Sequence, residues 1–137
     1  MNKKYCEHNG KRIAYVDEGN GDPIIFFHGN PTSSYLYRNI ISDLKDEYHC
    51  FAADMIGMGD SDKLDNSSHM TYTFQTHYEY LCSFIESLNL DKKITLVGQD
   101  WGGPLSIKWA REHPDSCLLY TSPSPRDQRG SGMAGGG

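Results

Sequence analysis

Asp100 sits in the run Leu96-Val97-Gly98-Gln99-Asp100-Trp101-Gly102-Gly103, between an apolar stretch and a stretch of helical periodicity over 104–112. That is the setting of a nucleophile elbow, in which a sharp strand-to-helix turn presents one side chain at the top of a sheet. A carboxylate placed there does different chemistry from a serine or a cysteine. It attacks a saturated carbon and displaces a leaving group, giving an alkyl ester on the protein that water must then cleave. The residue type therefore points to opening of a carbon–halogen bond or an epoxide.

A second candidate set is His28-Gly29-Asn30-Pro31-Thr32-Ser33-Ser34-Tyr35, directly after the apolar run Ile24-Ile25-Phe26-Phe27. A His-Gly loop at this place supplies one backbone N–H of an oxyanion hole, and the residue after the nucleophile supplies the other. Here those residues are Asn30 and Trp101. Both side chains also end in N–H donors. Two neutral donors converging on one point suit a departing halide, because they stabilise charge as it develops without bonding to it. Taken singly, Asn30 is also a turn residue and Trp101 also a core residue; with Asp100 the three read as one site.

The elements that must position these residues follow from periodicity. Residues 4–8 and 12–17 read as two short strands around Asn9-Gly10, a strong hairpin signal. Residues 24–27 and 49–53 are apolar on both faces, as expected of strands in a parallel sheet covered by helices. Leu36, Ile40, Ile41 and Leu44 predict a helix over 34–45; Phe74, Tyr78, Leu81, Ile85 and Leu88 predict another over 73–88. Residues 94–98 form the strand before Asp100, 102–112 the helix after it, and His113-Pro114 stops that helix. Residues 64–70 read as loop. The order, a hairpin and then strands alternating with helices, argues for an α/β fold with a mostly parallel sheet.

On these residues the chain resembles the N-terminal half of a haloalkane dehalogenase of the α/β-hydrolase superfamily. The matching stretches are 28–40, 54–64 and 96–103, and the likeness runs over about residues 10–115. The resemblance implies a truncated α/β-hydrolase core without its cap domain, Asp100 as nucleophile, and Asn30 and Trp101 as halide-binding and oxyanion-hole residues. It implies a small apolar halogenated substrate, release of halide, and no cofactor or metal. His28, Asp54 and the Gly57/Gly59 turn are expected to shape the site rather than react. Epoxide hydrolases and coelenterazine luciferases share the scaffold and stay open as alternatives, as does a non-catalytic hydrolase-fold module.

The second half-reaction needs a His base oriented by a carboxylate, and both follow the nucleophile in this fold. His113 lies roughly 20 Å down the helix from the elbow, too far to serve. Glu112, Asp115 and Asp127 are poor candidates for the acid. The triad acid and His are therefore expected to be absent from this chain, which is not expected to turn over. Without later strands, the strand over 94–98 is expected near an open edge, with 117–120 as a possible partner.

Composition bounds the rest. The 137 residues are 37% hydrophobic with a net charge of −5, which fits one globular domain. No basic block points to nucleic acid or an anionic membrane. Cys6, Cys50, Cys82 and Cys117 are dispersed with no CxxC pair, which indicates neither zinc nor thiol redox chemistry and fits a cytoplasmic location. No N-terminal stretch reads as a signal peptide. Residues 1–115 are read as the core domain. Residues 116–137, rich in Gly, Ser and Pro, are read as an unstructured tail of non-native origin.

Overall fold

The computed structural model describes residues 3–29, 32–64 and 72–121. Strands β1 (Lys4–His8) and β2 (Lys11–Glu18) form an antiparallel hairpin. Asn9 and Gly10 both take positive φ, 52° and 78°, as a two-residue hairpin turn requires. Strands β3 (Asp22–Phe27), β4 (Tyr48–Ala53), β5 (Ile94–Gly98) and β6 (Cys117–Thr121) complete one sheet of order β1-β2-β4-β3-β5-β6. β2 joins β4 antiparallel; β3 pairs parallel with β4 on one side and β5 on the other.

The side chains of β3 explain the layers. Ile25 and Phe27 enter one buried cluster with Phe51, Phe84 and Leu105, while Ile24 and Phe26 enter a second with Tyr37, Ile41 and Cys50. Alternate residues of a strand point to opposite faces, so a strand apolar throughout needs cover on both. Helices α2 (Phe74–Ser87) and α3 (Gly102–Glu112) cover the first face, and α1 (Arg38–Leu44) the second. Thr73 caps α2, its hydroxyl accepting from the Thr76 amide at 3.1 Å.

Two expectations need correction. The single helix expected over 34–45 is a 3-10 turn, Ser34–Tyr37, followed by α1. The first turn is diverted because the Ser34 amide donates to the Asp54 carboxylate and Tyr37 Oη donates to the Phe27 carbonyl, each at 2.7 Å. The tail read as unstructured from 116 onward begins instead with β6, which pairs parallel with β5 as the alternative partner at 117–120 would. The Ile94 amide donates to Ser116 O at 2.9 Å, and the backbone groups of the outer edge of β5 find partners there. Leu118, Leu119 and Tyr120 remain exposed, so β6 is held by backbone bonds more than by burial. Most of the loop expected over 64–70, and the tail beyond 121, lie outside the described residues. No described helix is long and apolar enough to cross a membrane, and no described group of His, Cys, Asp and Glu is arranged to hold a metal.

Candidate functional site

Asp100 lies between the end of β5 and the start of α3, with φ of 57° and an exposed side chain. A non-glycine residue in the left-handed region is strained, and the surroundings impose it. The Gln99 amide donates to the Phe27 carbonyl at 3.1 Å, tying the turn to the end of β3. The Gly102 amide closes onto Gln99 O and the Gly103 amide onto Asp100 O, both at 3.0 Å. Glycines make the approach possible. A Cβ on Gly98 would overlap the Gly102 carbonyl, one on Gly102 would overlap the Phe27 carbonyl, and one on Gly29 would overlap the Asp100 side chain. Pro104 falls in the first turn of α3, where its missing amide costs nothing.

Trp101 is 40% exposed, which removes the reading of it as a core residue. Its indole meets the Phe74 ring at 6.3 Å and the His77 ring at 5.8 Å, the latter edge-on at 71°. Asn30, the third residue of the expected set, lies outside the described residues. The neighbouring Gly29 is buried and packs against Asp100, so the His-Gly loop does reach the turn at the end of β5.

Below these residues is a buried polar scaffold. His28 is fully buried. Its Nε2 accepts from the Met55 amide at 2.9 Å, which leaves the proton on Nδ1 to donate to the Gly29 carbonyl at 2.7 Å. Burial lowers its pKa below the ordinary imidazole value, so the ring stays neutral. Both nitrogens are engaged, which fits a turn-shaping role and leaves none to take a proton. Asp54 is also fully buried. Its carboxylate accepts from Lys3 Nζ at 2.6 Å, the Ser34 amide at 2.7 Å and the Asp60 amide at 2.9 Å. Burial by itself would raise this carboxyl, but Lys3 and the two amides outweigh it and hold the pKa below the ordinary value. Gly59, at φ 53°, carries no Cβ because one would overlap that carboxylate.

His113 and Glu112 stay away from the turn, and Asp127 lies outside the described residues. His113 caps the far end of α3, stacked on Trp109 at 4.4 Å. Glu112 accepts from Tyr78 Oη at 2.6 Å and Lys108 Nζ at 2.8 Å at the same end. Two participants escaped the sequence reading. Lys3 was an ordinary N-terminal lysine, with no local signal that it meets a carboxylate 51 residues away. His77 lies on the buried face of α2, three residues after Phe74, and that spacing was the available signal.

The family model for the alpha/beta hydrolase fold matches residues 22–131. A haloalkane dehalogenase of Sphingobium indicum is 52% identical over 111 residues, covering 81% of this chain and 38% of that protein. One of Mycolicibacterium smegmatis is 47% identical, with 82% and 36% covered. A cis-3-alkyl-4-alkyloxetan-2-one decarboxylase of Shewanella oneidensis is 40% identical, with 82% and 35% covered. Among solved structures, the haloalkane dehalogenase DatA of Agrobacterium tumefaciens superposes with a TM-score of 0.81 at 36% identity, over 88% of this chain and 40% of that one. The chain thus spans less than two fifths of the length of these curated relatives.

Proposed function

We propose, starting from the fact that the chain belongs to the alpha/beta hydrolase fold family, that it carries the attacking and leaving-group half of a haloalkane dehalogenase site. The observation that carries the reading is Asp100 itself, an exposed carboxylate at φ 57° directly followed by a half-exposed Trp101. A carboxylate oxygen attacks the carbon bearing the halogen from behind. The carbon–oxygen bond forms as the carbon–halogen bond breaks, and the halide leaves with the bonding pair. Trp101 Nε1–H and the Asn30 side chain donate to it as its charge grows. The strained turn serves this step by holding the carboxylate proud of the sheet, fixed before the substrate arrives. Water must then cleave the ester with a His base. That base is not His28, whose nitrogens are both bonded, nor His113 at the far end of α3. Among the other described histidines, His8 lies in the hairpin strand β1, His49 is held on Asp17 and His77 is buried, and on this reading the chain alone stops at the alkyl ester. Four unpaired cysteines fit a reducing, cytoplasmic setting for the enzyme.

Incubation with a 1-iodoalkane followed by peptide mass mapping tests the reading. One alkyl group on the peptide containing Asp100, absent in Asp100→Asn, is the expected result. Mapping is needed because the free cysteines also alkylate. Adducts on cysteine peptides alone would reject it. The 40% identity to the oxetanone decarboxylase supports a second reading, in which the electrophile is a strained β-lactone ring. An adduct from an alkyl oxetan-2-one, with none from haloalkanes, would favour it.

A further inference from the structure

An exposed indole at the start of a helix has several staggered side-chain positions open to it. In this chain two rings of α2 restrict that choice, because Phe74 and His77 stand one helical turn apart and both meet Trp101. His77 is itself held from behind. The Tyr72 ring stacks on it at 6.0 Å and 28°. Tyr72 is fixed in turn, its hydroxyl accepting from the Leu64 amide at 2.8 Å and its ring filling the space that a Cβ on Gly57 would need. His77 is 5% exposed, and its Nδ1 is buried without a hydrogen-bond partner. A buried polar atom left unpaired costs stability, and hydrophobic packing alone would be better served by leucine or phenylalanine.

We infer that His77 is a positioning residue for Trp101, setting the indole through ring contact and linking it, through Tyr72, to the glycine turn that follows β4. The inference rests on the reading of Trp101 as a halide donor. An indole held in one orientation presents Nε1–H to one point; an indole spread over several rotamers presents it there only part of the time.

Trp101 and Trp109 are the only tryptophans, and Trp109 is buried, so Trp101→Phe isolates the Trp101 signal by difference. The near-ultraviolet circular dichroism of Trp101 reports its orientational order, and bromide titration of its fluorescence reports halide binding as a saturable component above collisional quenching. His77→Ala should lower the ratio of the ordered Trp101 rotamer to the others about threefold, the scale expected when one aromatic contact is lost, and so reduce the Trp101 band measurably and weaken the saturable component. His77→Phe, which keeps a ring and has a neighbouring cavity of about 20 Å³ to ease its fit, should retain both. An unchanged Trp101 band in His77→Ala, or an equal loss in His77→Phe, overturns the inference. If His77→Ala does not fold, Tyr72→Leu decides: a reduced band supports the inference and an unchanged one overturns it. A band that responds as stated in a chain with no saturable bromide quenching leaves the positioning role standing and rejects the halide reading instead.

Discussion

Replacing Asp100 by glycine should stabilise the fold while abolishing the proposed chemistry. The φ of 57° at Asp100 places a side chain in the left-handed region, which costs an L-residue roughly 1–2 kcal/mol, less for Asp than for most. Glycine does not pay that cost. It loses some of the gain, about 0.5–1 kcal/mol, through the greater freedom of the unfolded chain. The Asp100 side chain is exposed, so its removal gives up little burial. The balance is a gain of at most about 0.5–1 kcal/mol for Asp100→Gly. Alanine keeps the left-handed penalty and lacks the local tolerance of Asp, so Asp100→Ala should fall about 1 kcal/mol below glycine. For a domain of this size that difference corresponds to roughly 3–5 °C in Tm. Thermal and urea unfolding followed by far-ultraviolet circular dichroism would measure it, with alkylation at the Asp100 peptide as the functional readout. Equal stability of the Gly and Ala variants would refute the reasoning, since it would mean that the turn relaxes out of the left-handed region once the carboxylate is gone.

Other positions carry predictions of the same kind. Gly102→Ala should cost about 3 kcal/mol or more, because its Cβ would overlap the Phe27 carbonyl and backbone cannot swing aside. Gly10→Ala, at φ 78° with open space around it, should cost only about 1 kcal/mol, so urea midpoints of the two separate crowding from strain. Lys3→Met leaves the buried Asp54 carboxylate without its ammonium partner and should cost about 2–4 kcal/mol. Its unfolding transition in acid should also move to higher pH. The folded-state pKa of Asp54 is depressed, so its contribution is complete above the ordinary carboxylate range and is lost as pH falls through the folded value. His28 and His77 are both depressed, chiefly by burial. Unfolding lets each take up a proton, so stability should be full above about pH 6.5 and decline below it, by at most about 1.4 kcal/mol per pH unit for each ring. Urea unfolding at pH 7.5 and 5.5 should show that decline, and His77→Phe should make it shallower; a pH-independent midpoint over this range would contradict the assignment of neutral rings.

The sheet and helices were largely legible because each is written in short-range pattern. The apolar runs ending at Phe27 and Ala53, the hairpin at Asn9-Gly10 and the 3.6-residue spacing of α2 all encode which face is buried, and that depends on neighbours a few residues away. The turn at Asp100 was equally legible, since Gly98 and Gly102 bracket it at the spacing a strand-to-helix reversal needs. The break of the helix at 34–37 was not legible, because it depends on Asp54 capturing the Ser34 amide across 20 residues. The strand Cys117–Thr121 was legible only as a partner for the open edge of β5: its side chains are exposed, so what holds it is that backbone edge and not a pattern of its own.

The amino-acid sequence by itself determined the residue types and their local setting: a carboxylate at the turn, a tryptophan after it, and a His-Gly loop after a buried strand. Only the tertiary structure decided which distant groups meet there. The strand order β2-β4-β3-β5 brings the ends of β3 and β5 side by side, so that Gly29 packs on Asp100. Packing of α2 on that face sets His77 against Trp101, and the hairpin carries Lys3 to Asp54. Periodicity specifies which face of an element is apolar but not which other face it covers. The contacts that orient the site are made between elements, through hydrogen bonds and ring packing that exist only once the sheet has its order.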